Sequence, residues 1–390
     1  MIYLLFDWLR NDLDRFGLYR YLQVLDQVEF RAFAATALAF VLVLVLGRPV
    51  IDWLRRKKIG DTGLTDAEGL RAAASSKAAT PTMGGILIVG TIIFTTLLLA
   101  DMKNMYVVLG IIVAVWLAAL GGIDDWLKLT AASRAGKSRQ GLYAWEKLVF
   151  QLGLGLIVGY FTYNFGNHGE GPNLAHVLNL PFQKTYESAV GSLNEHLVIL
   201  PRWAYITVAV LLIAGMSNAV NISDGMDGLA SGISAAVALG FILLCLIAGK
   251  DAWARWLLVP HVPGTDELAI IAGAMLGACL GFLWFNCQPA SVFMGDTGSL
   301  SLGGLLAYFA IVTRQEAVML LMSTVFLIEI GSVVLQVSYF KATGGKRILR
   351  CSPIHHHFHM AAWTESQIVI RFWVLSVLMV VLALATLKLR

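Results

Sequence analysis

A chain of 390 residues with 58% hydrophobic and only 14% charged residues is much poorer in charge than the roughly 25% of a soluble domain. Mean hydropathy is +0.72, and the apolar residues fall in long runs, which excludes a soluble globular protein and describes an all-α, polytopic membrane protein. A net charge of +4 without a long basic tract, and four scattered cysteines with no CxxC pair, exclude nucleic-acid binding, a disulfide framework and a cysteine zinc site.

In chain order, residues 1–29 read as a separate interfacial segment. Asp7, Arg10, Asp12, Asp14 and Arg15 interrupt the apolar residues before a signal-peptide core can form, while Trp8, Phe16, Tyr19 and Tyr21 suit headgroup depth. Residues 30–390 read as one membrane domain of about ten helices, each near the ~20 residues that cross ~30 Å of hydrocarbon. They are expected at 30–49, 84–101, 106–123, 147–165, 203–220, 229–249, 268–285, 299–312, 316–340 and 368–388. The eighth is short enough to be tilted or partly buried in protein. Loops after the odd-numbered spans carry 16 lysines and arginines against 11 on the other face. The positive-inside rule therefore puts those loops in the cytoplasm and both termini outside.

The cytoplasmic loops hold nearly every unusual polar cluster. These are Lys77 to Gly85, with Thr82; Asp124-Asp125 with Lys128; Asn218 to Gly228, with Asn221, Asp224 and Asp227; Asn286; Phe293 to Ser299; and Pro353 to His357. Convergence of polar groups on one face is the mark of a site, here a cleft at the cytoplasmic surface. Two adjacent carboxylates each raise the other's pKa unless a cation lies between them. Asp124, Asp125, Asp224, Asp227 and Asp296 are hard oxygen ligands of the kind Mg²⁺ takes alongside substrate phosphates. Gly295 and Gly298 permit close backbone approach around Asp296, Thr297 or Ser299 can cap the eighth span, and its open N-terminus would favour a phosphate. Asn218, Asn221, Asp224 and Asp227 recur every three residues, yet Gly225 and Gly228 argue that the helix unwinds there. Their amides and carboxylates can read a base or ribose, or cap the next helix. Lys77 and Lys128 can neutralise phosphate or follow the positive-inside bias, and Phe293 can stack on a base or anchor a loop at the interface.

His355, His356, His357 and His359 suggest zinc, but consecutive side chains diverge and no cysteine joins them. Imidazoles at a phosphate site instead stabilise charge or move a proton. Glu329, mid-span, must face protein or water, as a packing hydrogen bond or a functional group. Gln336, two turns nearer the cytoplasm, is better placed to touch the site. A transporter would put its ionisable groups near the midplane, whereas here only Glu329 lies deep.

Together Thr80-Pro81-Thr82-Met83-Gly84-Gly85, Asp124-Asp125, Asn218 to Gly228, Phe282 to Asn286, Phe293 to Ser299 and Pro353 to His357 resemble the phospho-N-acetylmuramoyl-pentapeptide transferases. The similarity runs from about residue 30 to the C-terminus. The Asp-Asp and Asn-to-Gly motifs are common to the wider polyprenyl-phosphate N-acetylhexosamine-1-phosphate transferases, and the histidine motif is more specific to the muramoyl-pentapeptide branch. The resemblance implies a bacterial inner-membrane homodimer of ten-helix subunits that transfers phospho-MurNAc-pentapeptide from its UDP carrier to undecaprenyl phosphate, giving lipid I and UMP. It further implies that Asp296 binds Mg²⁺, that Asp124 and Asp125 handle the lipid phosphate and its proton, and that His355 and His356 serve the chemistry or place the diphosphate. Lys77, Asn221, Asp224, Asp227, Asn286 and Phe293 would hold the uridine and phosphates, with Thr82, Lys128, Asn218, Gln336 and His357 as further substrate contacts. Direct attack by the lipid phosphate and an aspartyl-phosphate intermediate are both open, and a sibling transferase using UDP-N-acetylglucosamine is the alternative. His359, where an acidic residue is expected, and Gln140, where a lysine is common, depart from the family pattern.

Overall fold

A computed structural model describes residues 1–57, 80–131, 141–166, 173–180, 182–187 and 192–388. Lys77 and Gln140, with Lys137 and Arg139, lie outside the described residues. The described residues are helical apart from turns, loops and isolated β-bridges such as Val177 with Ile199 and Tyr186 with Leu193. An N-terminal helix α1 (Ile2–Arg15) precedes α2 (Val28–Arg56), α3 (Gly85–Leu99), α4 (Met105–Ala131), α5 (Ala144–Phe165), α6 (Arg202–Ser223) and α7 (Leu229–Gly249). A short α8 (Asp251–Leu257) then leads to α9 (Leu268–Asn286), α10 (Gly295–Thr313), α11 (Glu316–Met322), α12 (Thr324–Ala342), α13 (Ile354–Met360) and α14 (Glu365–Thr386). Among the described residues nine helices are long and apolar enough to cross a membrane, and α3 is a shorter apolar helix. The ten expected spans are thus all present as helices.

The eighth of them is the hub. Every residue of α10 from Asp296 to Thr313 is buried, and the helix packs against α4, α6, α7 and α3. A membrane helix enclosed by others need not be long, because protein rather than lipid surrounds its ends. The outer helices are held by close backbone packing. Gly273, Gly277 and Gly281 form a stripe on α9 where any Cβ would strike the α2 backbone or Val43, the small-residue spacing that lets membrane helices approach without a hydrophobic drive.

Two expectations are corrected. The third span does not end at Ile123: α4 runs on to Ala131, so Asp124 and Asp125 lie inside the helix. The ninth is broken at Ser323 into α11 and α12. There the Thr324 hydroxyl donates to the Leu321 carbonyl at 2.6 Å, a side-chain bond of the kind that bends helices.

Met1 and Lys388 lie on the face away from the polar clusters. The Met1 ammonium donates to the carbonyls of Leu97 and Leu98 at the end of α3, and Lys388 lies 3.8 Å from the centre of the Trp256 ring on α8. In the N-terminal segment Trp8, Phe16 and Tyr21 are exposed, whereas the Tyr19 hydroxyl donates to Asp26 at 2.6 Å. The same face is clamped by a buried ion pair. Arg31 donates through both terminal nitrogens to Glu267, at 2.9 and 2.5 Å, and the Asp101 backbone N–H joins them at 2.9 Å. Removing one partner of such a pair costs about 3–5 kcal/mol. Arg31→Met is therefore expected to lower the thermal unfolding midpoint in detergent sharply, and an unchanged midpoint would contradict the clamp.

Candidate active site

The site is built where α10 begins. Gly84 and Gly85 donate backbone N–H bonds to the carbonyls of Phe293 and Met294, each at 2.8 Å, and Phe293 donates back to Pro81 at 2.8 Å. The 81–85 segment is thereby laid along the entry to α10. A Cβ at Gly85 would collide with the backbone of Gly298, and one at Gly121 with the backbone of Asp296. The two glycines bring α3 and α4 against the first turn of α10, which carries Asp296. Thr82 reaches the same turn, its hydroxyl 3.1 Å from where a Cβ on Gly295 would stand.

Asp124 and Asp125 are both buried, but they do different things. Asp124 accepts the backbone N–H of Leu142 at 2.7 Å and meets the ammonium groups of Lys147 at 2.8 Å and Lys128 at 2.7 Å. The same two lysines lie 2.5 and 3.3 Å from Asp296 Oδ2, so they bridge the two carboxylates. Asn221 donates to the other Asp296 oxygen and to the Ser299 hydroxyl, both at 2.9 Å. Asp125 instead accepts the backbone N–H groups of Asp296 and Thr297, both at 3.1 Å, and the Thr297 hydroxyl at 2.8 Å. The N-terminus of α10 is therefore not open to a phosphate: a carboxylate from α4 caps it. The cap comes from another helix because the backbone N–H groups of a first turn donate to any well-placed anion, whatever its distance in sequence.

Ligand atoms of Asp124, Asp125 and Asp296 all lie within 4.8 Å of one another. Three carboxylates at this spacing are the hard oxygen donors a divalent cation takes, and the two ammonium groups between Asp124 and Asp296 neutralise part of their charge in its place. Asp224, which caps the end of α6, adds a fourth carboxyl. Desolvation, followed by the charges of Asp296 and Asp125, pushes it well above the usual carboxylate range against a single opposing N–H from Gly295. Crowding of this kind is what a bound cation relieves. As the glycines at 225 and 228 required, α6 has unwound by this point, and Gly228 takes a left-handed φ of +79° ahead of α7.

The remaining candidates divide between the cleft and its walls. Asp227 accepts the Ala290 N–H at 3.0 Å. Asn286 accepts the Gly228 N–H at 3.0 Å and donates to the Val292 carbonyl at 2.8 Å. Gln336 accepts from the backbones of Ile348 and Leu349 at 3.1 and 2.9 Å. All three fix loops around the cleft. Asn218 faces α5, donating to Gln151 at 2.8 Å. His357 accepts the Arg350 N–H at 3.1 Å, the His356 ring lies 4.2 Å from that of His355, and His355 is wholly buried. Phe293 is half-buried at the mouth of the α10 turn. Lys147 and Thr297 belong to the site although neither stood out in the sequence. Lys147 was indistinguishable from a positive-inside lysine, and Thr297 from a local cap.

Residues 104–314 match the glycosyl transferase family 4 model. Residues 77–89 match the phospho-N-acetylmuramoyl-pentapeptide-transferase signature 1. A protein of that name from Nitratidesulfovibrio vulgaris is 40% identical over 390 residues, covering 100% of both chains. The chain belongs to the phospho-N-acetylmuramoyl-pentapeptide transferase family. Transferases of the same name from Oleidesulfovibrio alaskensis and Thermodesulfovibrio yellowstonii are each 40% identical over 369 residues, 95% of this chain and 96% of theirs. The family 4 match takes in Asp124, Asp125 and Asp296, and the signature takes in Thr82, Gly84 and Gly85. Within this transferase the matched segments are thus the ones that meet at the first turn of α10.

Proposed function

We propose that the transferase moves phospho-MurNAc-pentapeptide from UDP-MurNAc-pentapeptide to undecaprenyl phosphate, giving lipid I and UMP. The proposal includes Mg²⁺ as cofactor, a cleft facing the cytoplasm of the bacterial inner membrane, and a homodimer. The observation that carries it is the lysine-bridged carboxylate cluster at one end of a membrane helix with an exposed flank. Ile123 and Trp126 are 54% and 55% exposed while Asp124 between them is 0% exposed. A phosphate whose tail stays in the bilayer can therefore reach the cluster from the side. The positive-inside count supports the orientation, and the family resemblance supports the dimer.

Both substrates are anionic at phosphorus, so charge neutralisation and positioning supply most of the catalysis. Lys128 and Lys147 neutralise the approaching phosphates, and Asp296 and Asn221 hold their charge and donor at a fixed spacing. Mg²⁺, held by Asp296 with Asp124 and Asp125 nearby, would supply further neutralisation of the diphosphate. An oxygen of the lipid phosphate forms a bond to the β-phosphorus of the nucleotide as the bond from that phosphorus to the bridging oxygen breaks, and UMP leaves. A proton carried by the lipid phosphate passes to Asp124 or Asp125. Asp224, Phe293, Thr82, Lys77, His355 and His356 hold the nucleotide and its diphosphate, inside walls set by Asp227, Asn286, Gln336, Asn218 and His357.

Purified protein given UDP-MurNAc-pentapeptide is expected to release UMP only when both undecaprenyl phosphate and Mg²⁺ are present. Release that ignores either one would overturn the reading. A covalent phospho-protein trapped without lipid would count against direct attack.

A further inference from the structure

Behind His355 lies a buried carboxylate with no role so far. Glu329 lies within the membrane-crossing helix α12 and is 0% exposed, where a carboxylate is costly unless it is paired. His355 of α13 meets it: Nδ1 stands 2.9 Å from Glu329 Oε2, with both side chains inaccessible. A carboxylate only accepts, so Nδ1 carries the hydrogen and Nε2 is the nitrogen left over. Nε2 is buried and has no partner among the described residues. It points at the turn after α6, standing 2.5 Å from where a Cβ on Gly225 would be, next to Asp224 and hence beside the carboxylate cluster. Glu329 Oε1, at the other end of the pair, likewise has no partner among the described residues, but Nε2 is the unpartnered atom directed at the site, and Gly225 leaves the room for it.

We propose that Glu329 is the positioning residue for His355, fixing the ring plane and the Nδ1–H tautomer so that Nε2 is presented to the diphosphate of the nucleotide substrate. The proposal rests on the transferase reading. A second-sphere carboxylate behind an imidazole acts through orientation and tautomer, so its loss should fall on turnover rather than on nucleotide binding.

Three measurements test it. In the wild-type protein without substrate, ¹⁵N-histidine spectra, with His355 assigned by its disappearance in His355→Asn, should show the hydrogen on Nδ1; an Nε2–H tautomer overturns the proposal. Glu329→Leu should lower kcat by at least about 10²-fold while the nucleotide KM stays within about threefold. In a His355→Asn background the same change should cost nothing further, because Glu329 acts only through the ring; an additive loss, or an unchanged kcat, overturns it. Glu329→Gln, whose amide oxygen still accepts from Nδ1–H, should recover activity above Glu329→Leu. Equal losses in the two overturn the tautomer role. Should Glu329→Leu fail to fold, Glu329→Gln with His355→Asn completes the same cycle. No UMP from the wild-type protein would instead count against the transferase reading and leave the spectroscopic result standing.

Discussion

Asp296→Asn is expected to reduce UMP release by at least about 10²–10³-fold, the loss that follows removal of one preorganised electrostatic contact from a reacting phosphate or oxyanion. The substitution preserves shape and removes charge. Both Asp296 oxygens are committed to the cleft, one to Asn221 at 2.9 Å and the other to Lys147 and Lys128 at 2.5 and 3.3 Å. The backbone of the first turn of α10 is capped by Asp125 rather than by Asp296, so the helix should survive the change. The thermal unfolding midpoint of the variant, measured beside its rate, is expected to lie near that of the wild type. A variant that transfers at the wild-type rate, with Mg²⁺ present, would sink the assignment of Asp296 to the metal and phosphate.

The second large effect separates two residues that stand side by side. Asp125→Ala leaves the N–H groups of Asp296 and Thr297 buried without an acceptor, at about 1–3 kcal/mol for each unsatisfied group. It also frees the turn that aims Asp296. Both stability and transfer should fall. Asp125→Asn keeps one acceptor oxygen and should be intermediate in stability. Asp124→Asn leaves the α10 cap untouched and Lys147 still paired with Asp296, so it should abolish transfer at a smaller cost in unfolding midpoint. The expected order of destabilisation is Asp125→Ala, then Asp125→Asn, then Asp124→Asn, read from unfolding in detergent beside UMP release. If Asp124→Asn proved the least stable, the division of labour would be wrong.

Local pattern was sufficient for much of this protein. Runs of apolar residues long enough to cross a bilayer can only be helices there, because lipid offers the backbone no hydrogen-bond partner, and so the spans could be counted. Their alternation then placed Asp124, Asp224, Asp296 and His355 on one face. Motifs contiguous in the chain, such as Asp124-Asp125 and Gly295 to Ser299, declared the chemistry. Tertiary structure decided which residue meets which. Successive residues on a helix point about 100° apart, so Asp124 and Asp125 look in different directions and find different partners. One meets Lys147 from α5, the other the start of α10, 171 residues away. The cap on α10 looked local in sequence, since Thr297 and Ser299 are the residue types that cap helices, and only packing through Gly85 and Gly121 brings Asp125 close enough to take that place. Glu329 and His355 likewise meet across 26 residues. Distance in sequence carries no record of such contacts, and a hydrogen bond depends on a few tenths of an ångström between groups that only the packed bundle brings together.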